Sequence, residues 1–370
     1  MKKILFLIHD LGHGGAEKVL VNLVNNMDPK EFDITVMSLF GGGVNEQFLK
    51  EHIRYITVFK KEFRGNSHYF KLFSPKTLHK RYIKEQYDIE VSYLEGPSAR
   101  IISGCPNPNT KLVSWIHCTM SNEKDISLGF RNFNEAKEGY NKFHRNIFVS
   151  ESTKNSFLNA CPLKGESLVL YNVNPTDEII TKSTEAIPDG IFNKNVVKLC
   201  ATGKLVPLKG FERLIAITKK LIDNGLSVAT YILGEGAERP KLEEMIAANN
   251  LQGSVSLLGY QTNPYKYVAK CDLFVCSSYS EGFSTAATEA LIVGTPVCTV
   301  EVSGMKEMLG ENNEYGIVTE NNEDALYEGI KTLVENPTLL ADYKSKASLR
   351  AQKFSTTETV TAVQNMLNSL

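Results

Sequence analysis

The sequence is sparing with the residues that usually announce metal, disulfide or nucleophile chemistry. Its seven cysteines are scattered from Cys105 to Cys298, the count is odd, and none forms a Cys-x-x-Cys pair. A disulfide framework or a structural zinc site is therefore not expected, and reducing cytoplasm is the expected setting. Asp-x-Asp, His-Glu-x-x-His, Gly-x-Ser-x-Gly and Walker patterns are all missing, so no metal site is expected. No apolar run approaches the roughly 20 residues that cross a bilayer. Lys2-Lys3 followed by Ile4–Ile8 mimics a leader peptide, but the run is too short and His9-Asp10 end it. Formal net charge is −1 over 370 residues, which argues against nucleic acid as a partner. There is no internal repeat and no low-complexity tract.

What is present is an ordinary globular balance, 42% hydrophobic and 22% charged, enough for two domains with real cores. The charge is uneven: residues 1–172 carry 23 Lys+Arg against 18 Asp+Glu, the remainder 18 against 24. Short apolar runs alternate with helical patterns. Strands are expected at 3–8, 32–39, 53–59, 89–93, 111–116 and 146–150, and helices at 16–27, 76–85 and 152–158. After a linker-like stretch over 172–195 the pattern restarts. Strands are expected at 196–202, 227–233, 254–259, 272–277 and 296–300, with helices at 211–223, 239–249 and 285–293 and a last one at 357–370. Such alternation implies parallel sheets covered on both faces. Two doubly wound domains in series would bind ligands beyond the carboxyl ends of their strands, with a cleft between the domains as the natural site.

Four stretches at strand ends could carry chemistry. Gly12-x-Gly14-Gly15-Ala16-Glu17 follows the first strand; its glycines permit close backbone approach and the helix start favours anions. It is not a dinucleotide fingerprint, because position 17 is Glu. Gly203-Lys204-Leu205-Val206-Pro207-Leu208-Lys209-Gly210 places two lysines where they could clamp a diphosphate. Glu281-Gly282-Phe283-Ser284-Thr285 runs into a helix carrying Glu289, so backbone N–H groups and two carboxylates share one region. His117 stands just past a buried strand, although a lone histidine is more often structural than catalytic. Gly234-Glu235-Gly236 and Leu258-Gly259 are weaker signals after two further strands.

Together these features resemble the retaining glycosyltransferases of family 4, with the GT-B architecture. The likeness runs from Ile4 to about Phe354 and includes Gly294-Thr295-Pro296-Val297 and Gly316-Ile317-Val318. It implies two Rossmann-like domains facing a central cleft: an acceptor domain over 1–172, a donor domain over 173–355, and a helix over 356–370 crossing back to the first. It implies that Lys204 and Lys209 neutralise the donor diphosphate. Glu281 would hold hydroxyls of the transferred sugar, the amides of Gly282, Phe283, Ser284 and Thr285 would bind sugar and phosphate, and Glu289 would bind the ribose. Leu258 and Gly259 would receive the base, with Gly234 nearby. Gly14 and Gly15 would approach the donor from the other domain, and His117 would contact the sugar. Lys209, Glu281 and His117 are thus the expected catalytic residues. Where the family usually has arginine, position 204 is lysine, which keeps the charge and loses the fork. Retaining members react by same-face attack, with a leaving-group oxygen taking the acceptor's proton. This accounts for the lack of a catalytic carboxylate pair and for a metal-free site.

The resemblance also implies a UDP-sugar donor, with GDP open, and no cofactor. It implies transfer of a hexose or N-acetylhexosamine to a saccharide or lipid-linked glycan, in bacterial surface polysaccharide or glycoconjugate synthesis. Residues 50–84 hold ten Lys+Arg against Glu51 and Glu62, interleaved with Phe59, Phe63, Tyr69, Phe70 and Phe73. Such a stretch could rest on an anionic membrane, at the inner face of the cell membrane, or could be a solvated face with core aromatics. A phosphorylase or epimerase of the same architecture, or a non-catalytic nucleotide-sugar-binding partner subunit, stand as the alternative readings.

Overall fold

Ile4, Leu5, Phe6, Leu7 and Ile8 have no exposed surface, as a parallel strand covered on both faces requires. They complete β1 (Lys2–Ile8), followed by β2 (Phe32–Phe40), β3 (Arg54–Phe59), β4 (Ile89–Ser92), β5 (Lys111–Ile116), β6 (Arg145–Phe148) and β7 (Glu166–Val169). In the computed structural model, which describes residues 1–12, 14–192 and 195–370, these strands form one sheet in the order β3-β2-β1-β4-β5-β6-β7. A second sheet holds β8 (Val197–Thr202), β9 (Val228–Leu233), β10 (Val255–Gly259), β11 (Leu273–Cys276), β12 (Val297–Val300) and β13 (Ile317–Thr319) in the order β10-β9-β8-β11-β12-β13. Every pairing in both sheets is parallel. His13 of the glycine-rich turn and Asn193-Lys194 of the expected linker lie outside the described residues.

The chain divides into two compact units, Met1–Val173 with Thr356–Leu370, and Asn174–Ser355. Each winds outward from a central strand and then crosses back. The order therefore reverses between β1 and β4 in one sheet and between β8 and β11 in the other. The stretch read as a linker carries a helix, Thr176–Ser183. The edge strands β7 and β13, and the helices Glu323–Glu335 and Pro337–Ala351, are additions to the expected elements.

The basic segment resolves into two populations. Phe59, Phe63, Tyr69, Phe70 and Phe73 pack with Phe40 and Tyr82 at centroid separations of 5.2–6.3 Å. The aromatics therefore face inward. Lys60, Lys61, Arg64, Lys76, Lys80, Arg81 and Lys84 are exposed. Arg100, fully buried, fastens this segment: it donates to the carbonyls of Phe70 and Phe73 at 2.5 and 2.7 Å and grips Glu135 with two N–H groups at 2.9 and 3.0 Å.

The last helix, Thr356–Asn368, belongs to the first unit. Lys2 donates to the carbonyls of Leu367 and Asn368 at 2.9 and 3.1 Å, and Asp28 N–H donates to Gln364 at 2.8 Å. Val363 and Leu367 are fully buried. Replacing Leu367 by alanine is expected to cost about 2–5 kcal/mol. Urea unfolding followed through Trp115, the single tryptophan and a residue of this unit, reads the change directly; an unchanged midpoint would show that the helix adds nothing to the unit.

Candidate functional site

In the C-terminal unit the loops after β8 and β11 flank the point where the strand order reverses, the place where open parallel sheets bind ligands. Both loops are held by close backbone approach. Gly234 has φ +145°, and a Cβ there would lie 1.9 Å from the Gly203 carbonyl. The loop after β9 thereby lies against that after β8, with Leu205 N–H donating to Glu235 O at 2.9 Å. Gly210 has φ +61°, and a Cβ there would lie 2.2 Å from the Ser277 carbonyl. Buried Arg213, on the helix Phe211–Asp223, locks this contact. It donates to Ser277 O at 2.6 Å, Ser278 O at 2.8 Å and Asn321 Oδ1 at 2.9 Å, and its guanidinium lies 4.3 Å from the Tyr279 ring centroid.

This clamp brings Lys209 to Glu281. Lys209 ends the short 3-10 turn Pro207–Lys209, and its Nζ is 2.7 Å from Glu281 Oε1. Ser278 Oγ donates to the same oxygen at 2.6 Å, and Ser277 Oγ donates to the Lys209 carbonyl at 3.0 Å. The pair lines a small cleft with Thr202, Cys276, Ser284 and Ala286. Ser284 caps the helix Thr285–Ile292, accepting from Ala287 N–H at 3.3 Å. Gly282 and Thr285 are half-buried beside it. Phe283 is buried, its ring centroid 5.8 Å from that of Phe354. Glu289 sits one turn inside the helix, almost wholly buried, and accepts from Tyr265 Oη at 3.4 Å. Lys204 is exposed on the loop after β8.

Leu258 and Gly259 end the edge strand β10, where the pairing with β9 slips by one residue. Gln261 donates to the Leu258 carbonyl at 2.7 Å, and Gly259 O accepts from Gly234 N–H at 2.8 Å. Gly234 thus has a packing duty of its own. Lys209, Glu281 and residues 282–285 share one strand-end region, Glu289 stands a turn behind it, and Leu258-Gly259 lie along the same sheet edge.

Gly14, Gly15 and His117 belong to the N-terminal unit. Gly14 caps the helix Gly15–Asn26 without a side-chain bond, both glycines are exposed, and the Glu17 carboxylate folds back over this helix start onto its own backbone N–H. At the end of β1, His9 Nδ1 lies 2.7 Å from Asp10 Oδ2, and that hydrogen bond raises the histidine pKa. Burial raises the carboxyl pKa of Glu17. His117 donates its backbone N–H to Glu95 at 3.1 Å, and its ring lies against Tyr93, centroids 4.9 Å apart. Its Nε2 is sealed from solvent and has no hydrogen-bond partner among the described residues. Desolvation pushes its pKa down to about 3. A neutral imidazole here can exchange a hydrogen bond with a ligand but is no acid near neutrality.

Sequence reasoning missed Arg213, Ser278, the His9–Asp10 pair and Glu95. The histidine pair, Ser278 and Glu95 share the one signal that could have found them, a place just past the end of a strand. Arg213 carries no such mark.

Comparison with known proteins identifies the two halves of the chain. Residues 183–350 match the family model described as glycosyl transferases group 1, and residues 13–177 match that described as Glycosyltransferase Family 4. With both halves so matched, the chain is a glycosyltransferase of GT-B architecture. Among its relatives is the Campylobacter jejuni N-acetylgalactosamine-N,N'-diacetylbacillosaminyl-diphospho-undecaprenol 4-alpha-N-acetylgalactosaminyltransferase, 28% identical with 96% of each chain covered. The Staphylococcus aureus poly(ribitol-phosphate) alpha-N-acetylglucosaminyltransferase is 26% identical over 85% of this chain and 61% of its own length. The crystal structure of Anabaena HepE with UDP and glucose superposes with a TM-score of 0.78 at 21% identity, all of both chains covered.

The unfolded chain protonates His117 near 6.5, whereas the folded chain does not until about 3. This contribution to stability is therefore present at neutral pH and is lost as pH falls from about 6.5 towards 3. His117→Asn is expected to flatten the acid-side fall of the urea midpoint relative to the unsubstituted protein; parallel curves would show that the imidazole protonates freely in the folded state.

Proposed function

We propose that the protein moves a hexose or N-acetylhexosamine from a UDP-sugar to a saccharide or lipid-linked glycan, with retention at the anomeric carbon, as in family 4. The observation that carries this reading is the Lys209–Glu281 pair beside the Ser284-capped helix start. It sets a cation, a carboxylate and a helix N-terminus around one small cleft.

The chemistry follows from these groups. Bond breaking gathers negative charge on the leaving diphosphate. Lys209, Lys204 and the amides of residues 282–285 meet that charge, with preorganised donors worth most where water is excluded. Lys209 turns from Glu281 to the diphosphate, which frees the carboxylate to accept from sugar hydroxyls. Glu289 takes the ribose hydroxyls, and the bulged backbone at Leu258-Gly259, with Gly234 nearby, takes the base. Gly14, Gly15 and neutral His117 serve the same donor from the N-terminal unit, the acceptor domain of this reading. No cofactor is needed, because the lysines carry the charge that a cation carries elsewhere. Names of relatives that specify alpha linkage support retention, since UDP-hexosamines are alpha anomers. The C. jejuni relative's diphospho-undecaprenol substrate supports a lipid-linked acceptor and work at the inner membrane face, in surface glycan or glycoconjugate assembly.

The test incubates purified protein with UDP- and GDP-sugars, with and without a lipid-linked acceptor extract, and follows nucleotide release and the product anomer. Lys209→Ala and Glu281→Ala are each expected to lower turnover by roughly 10²–10³-fold. Unchanged turnover in both would remove the donor-site assignment, and an inverted product would remove retention.

Exposure of the lysines and arginines of 50–84 supports a proposed contact with anionic lipid. Flotation with vesicles rich in anionic lipid should carry the protein upward at low salt and not at high salt; indifference to lipid charge would exclude this surface contact.

A further inference from the structure

A second group of chemistry-bearing side chains lies in the N-terminal unit, away from the strand ends. His79 stands on the helix Pro75–Tyr82, Glu90 is the second residue of β4, and Cys105 follows the helix Pro97–Ile102. One donor atom from each lies within 4.8 Å of the others. His79 Nε2 is 2.8 Å from Glu90 Oε2, and Cys105 Sγ is 3.7 Å from Glu90 Oε1.

The placement is demanding. Glu90 pairs with Leu5 on one side and Leu112 on the other, in the middle of the sheet, and is 2% exposed. An apolar residue would fill that position at no desolvation cost, whereas a carboxylate there must be compensated. His79 is 6% exposed. The backbones beneath the donors are anchored: Ser74 caps the His79 helix, accepting from Thr77 N–H at 3.1 Å, and Cys105 N–H donates to Ile102 O at 3.0 Å.

Imidazole, carboxylate and thiolate together select a borderline-soft divalent ion over magnesium or calcium, which take oxygen ligands. Bond lengths of about 2.0–2.3 Å around tetrahedral zinc place neighbouring donors roughly 3.3–3.7 Å apart; the Cys105–Glu90 spacing of 3.7 Å already matches, and the hydrogen-bonded His79–Glu90 pair at 2.8 Å would open to admit the ion. Two anionic donors and a neutral imidazole cancel the ion's charge, so the buried assembly is neutral.

We propose that His79, Glu90 and Cys105 form a zinc-binding site. Zinc takes Cys105 as thiolate and His79 through Nε2, so the thiol proton and the proton that Nε2 shares with Glu90 both leave for solvent, and water completes the four positions. The ion ties two helices to the central strand β4, remote from sugar transfer. The spacing rule that argued against zinc examined cysteine pairs, and this set uses only one cysteine.

The experiment uses the full chain, stripped with chelator and dialysed, then titrated with Zn²⁺ against a chromophoric chelator and, separately, with Co²⁺. One zinc per chain and a thiolate-to-cobalt charge-transfer band are expected. Cys105→Ser and His79→Gln should weaken zinc by about tenfold or more, with the band lost in the first. Cys118→Ser, at an exposed thiol elsewhere, should change neither. If a variant misfolds, the unsubstituted chain still decides: zinc should shield Cys105 and leave Cys118 open to alkylation mapped by mass spectrometry. No stoichiometric zinc, a cobalt band surviving in Cys105→Ser, or equal alkylation of Cys105 with and without zinc would each overturn the proposal.

Discussion

The grip of Arg213 on the carbonyls of Ser277 and Ser278 is the interaction on which the C-terminal unit's site depends. A parallel sheet delivers the ends of β8 and β11 side by side, but it does not fix the loops that leave them. One planar guanidinium reaches two successive carbonyls and Asn321 at once, a geometry that a lysine's point charge lacks. Gly210 then lets the backbone after β8 settle on Ser277. Only with those loops in register does Lys209 meet Glu281.

The N-terminal unit uses the same device for another purpose. Arg100 holds the carbonyls of Phe70 and Phe73 while Glu135 neutralises it. Burial alone would raise the Glu135 pKa, yet hydrogen bonds from Arg100 and the Arg131 backbone hold it below the usual carboxylate value. In both units a buried arginine saturates main-chain acceptors that no regular ladder reaches. In both, the segment so held carries the residues of interest: the Lys209–Glu281 loops in one, the basic stretch in the other.

The central strands were legible because continuous apolar runs such as Ile4–Ile8 admit few other readings. Edge strands β7 and β13 were not, since three or four half-exposed residues carry no such run. Lys209, Glu281 and residues 282–285 could be marked because charged residues and glycines at strand ends are unusual enough to notice. Arg213 could not: it sits inside an amphipathic helix, and its partners are carbonyl oxygens, which every residue has. The aromatics of 50–84 misled in the other direction. Interleaved with lysines they resemble a surface, and only packing on Phe40, outside the stretch, and on one another with Tyr82 draws them inside.

The N-terminal unit begins at Met1 and closes with Thr356–Leu370, with the whole C-terminal unit between. A chain emerging from the ribosome completes the second unit before the first can receive its final helix. Lys2 holds carbonyl partners made only after the whole second unit. Synthesis of the whole second unit, rather than emergence of the first half, thus precedes completion of the N-terminal unit. Nascent chains cut short anywhere in the second unit leave the first without the helix that covers it.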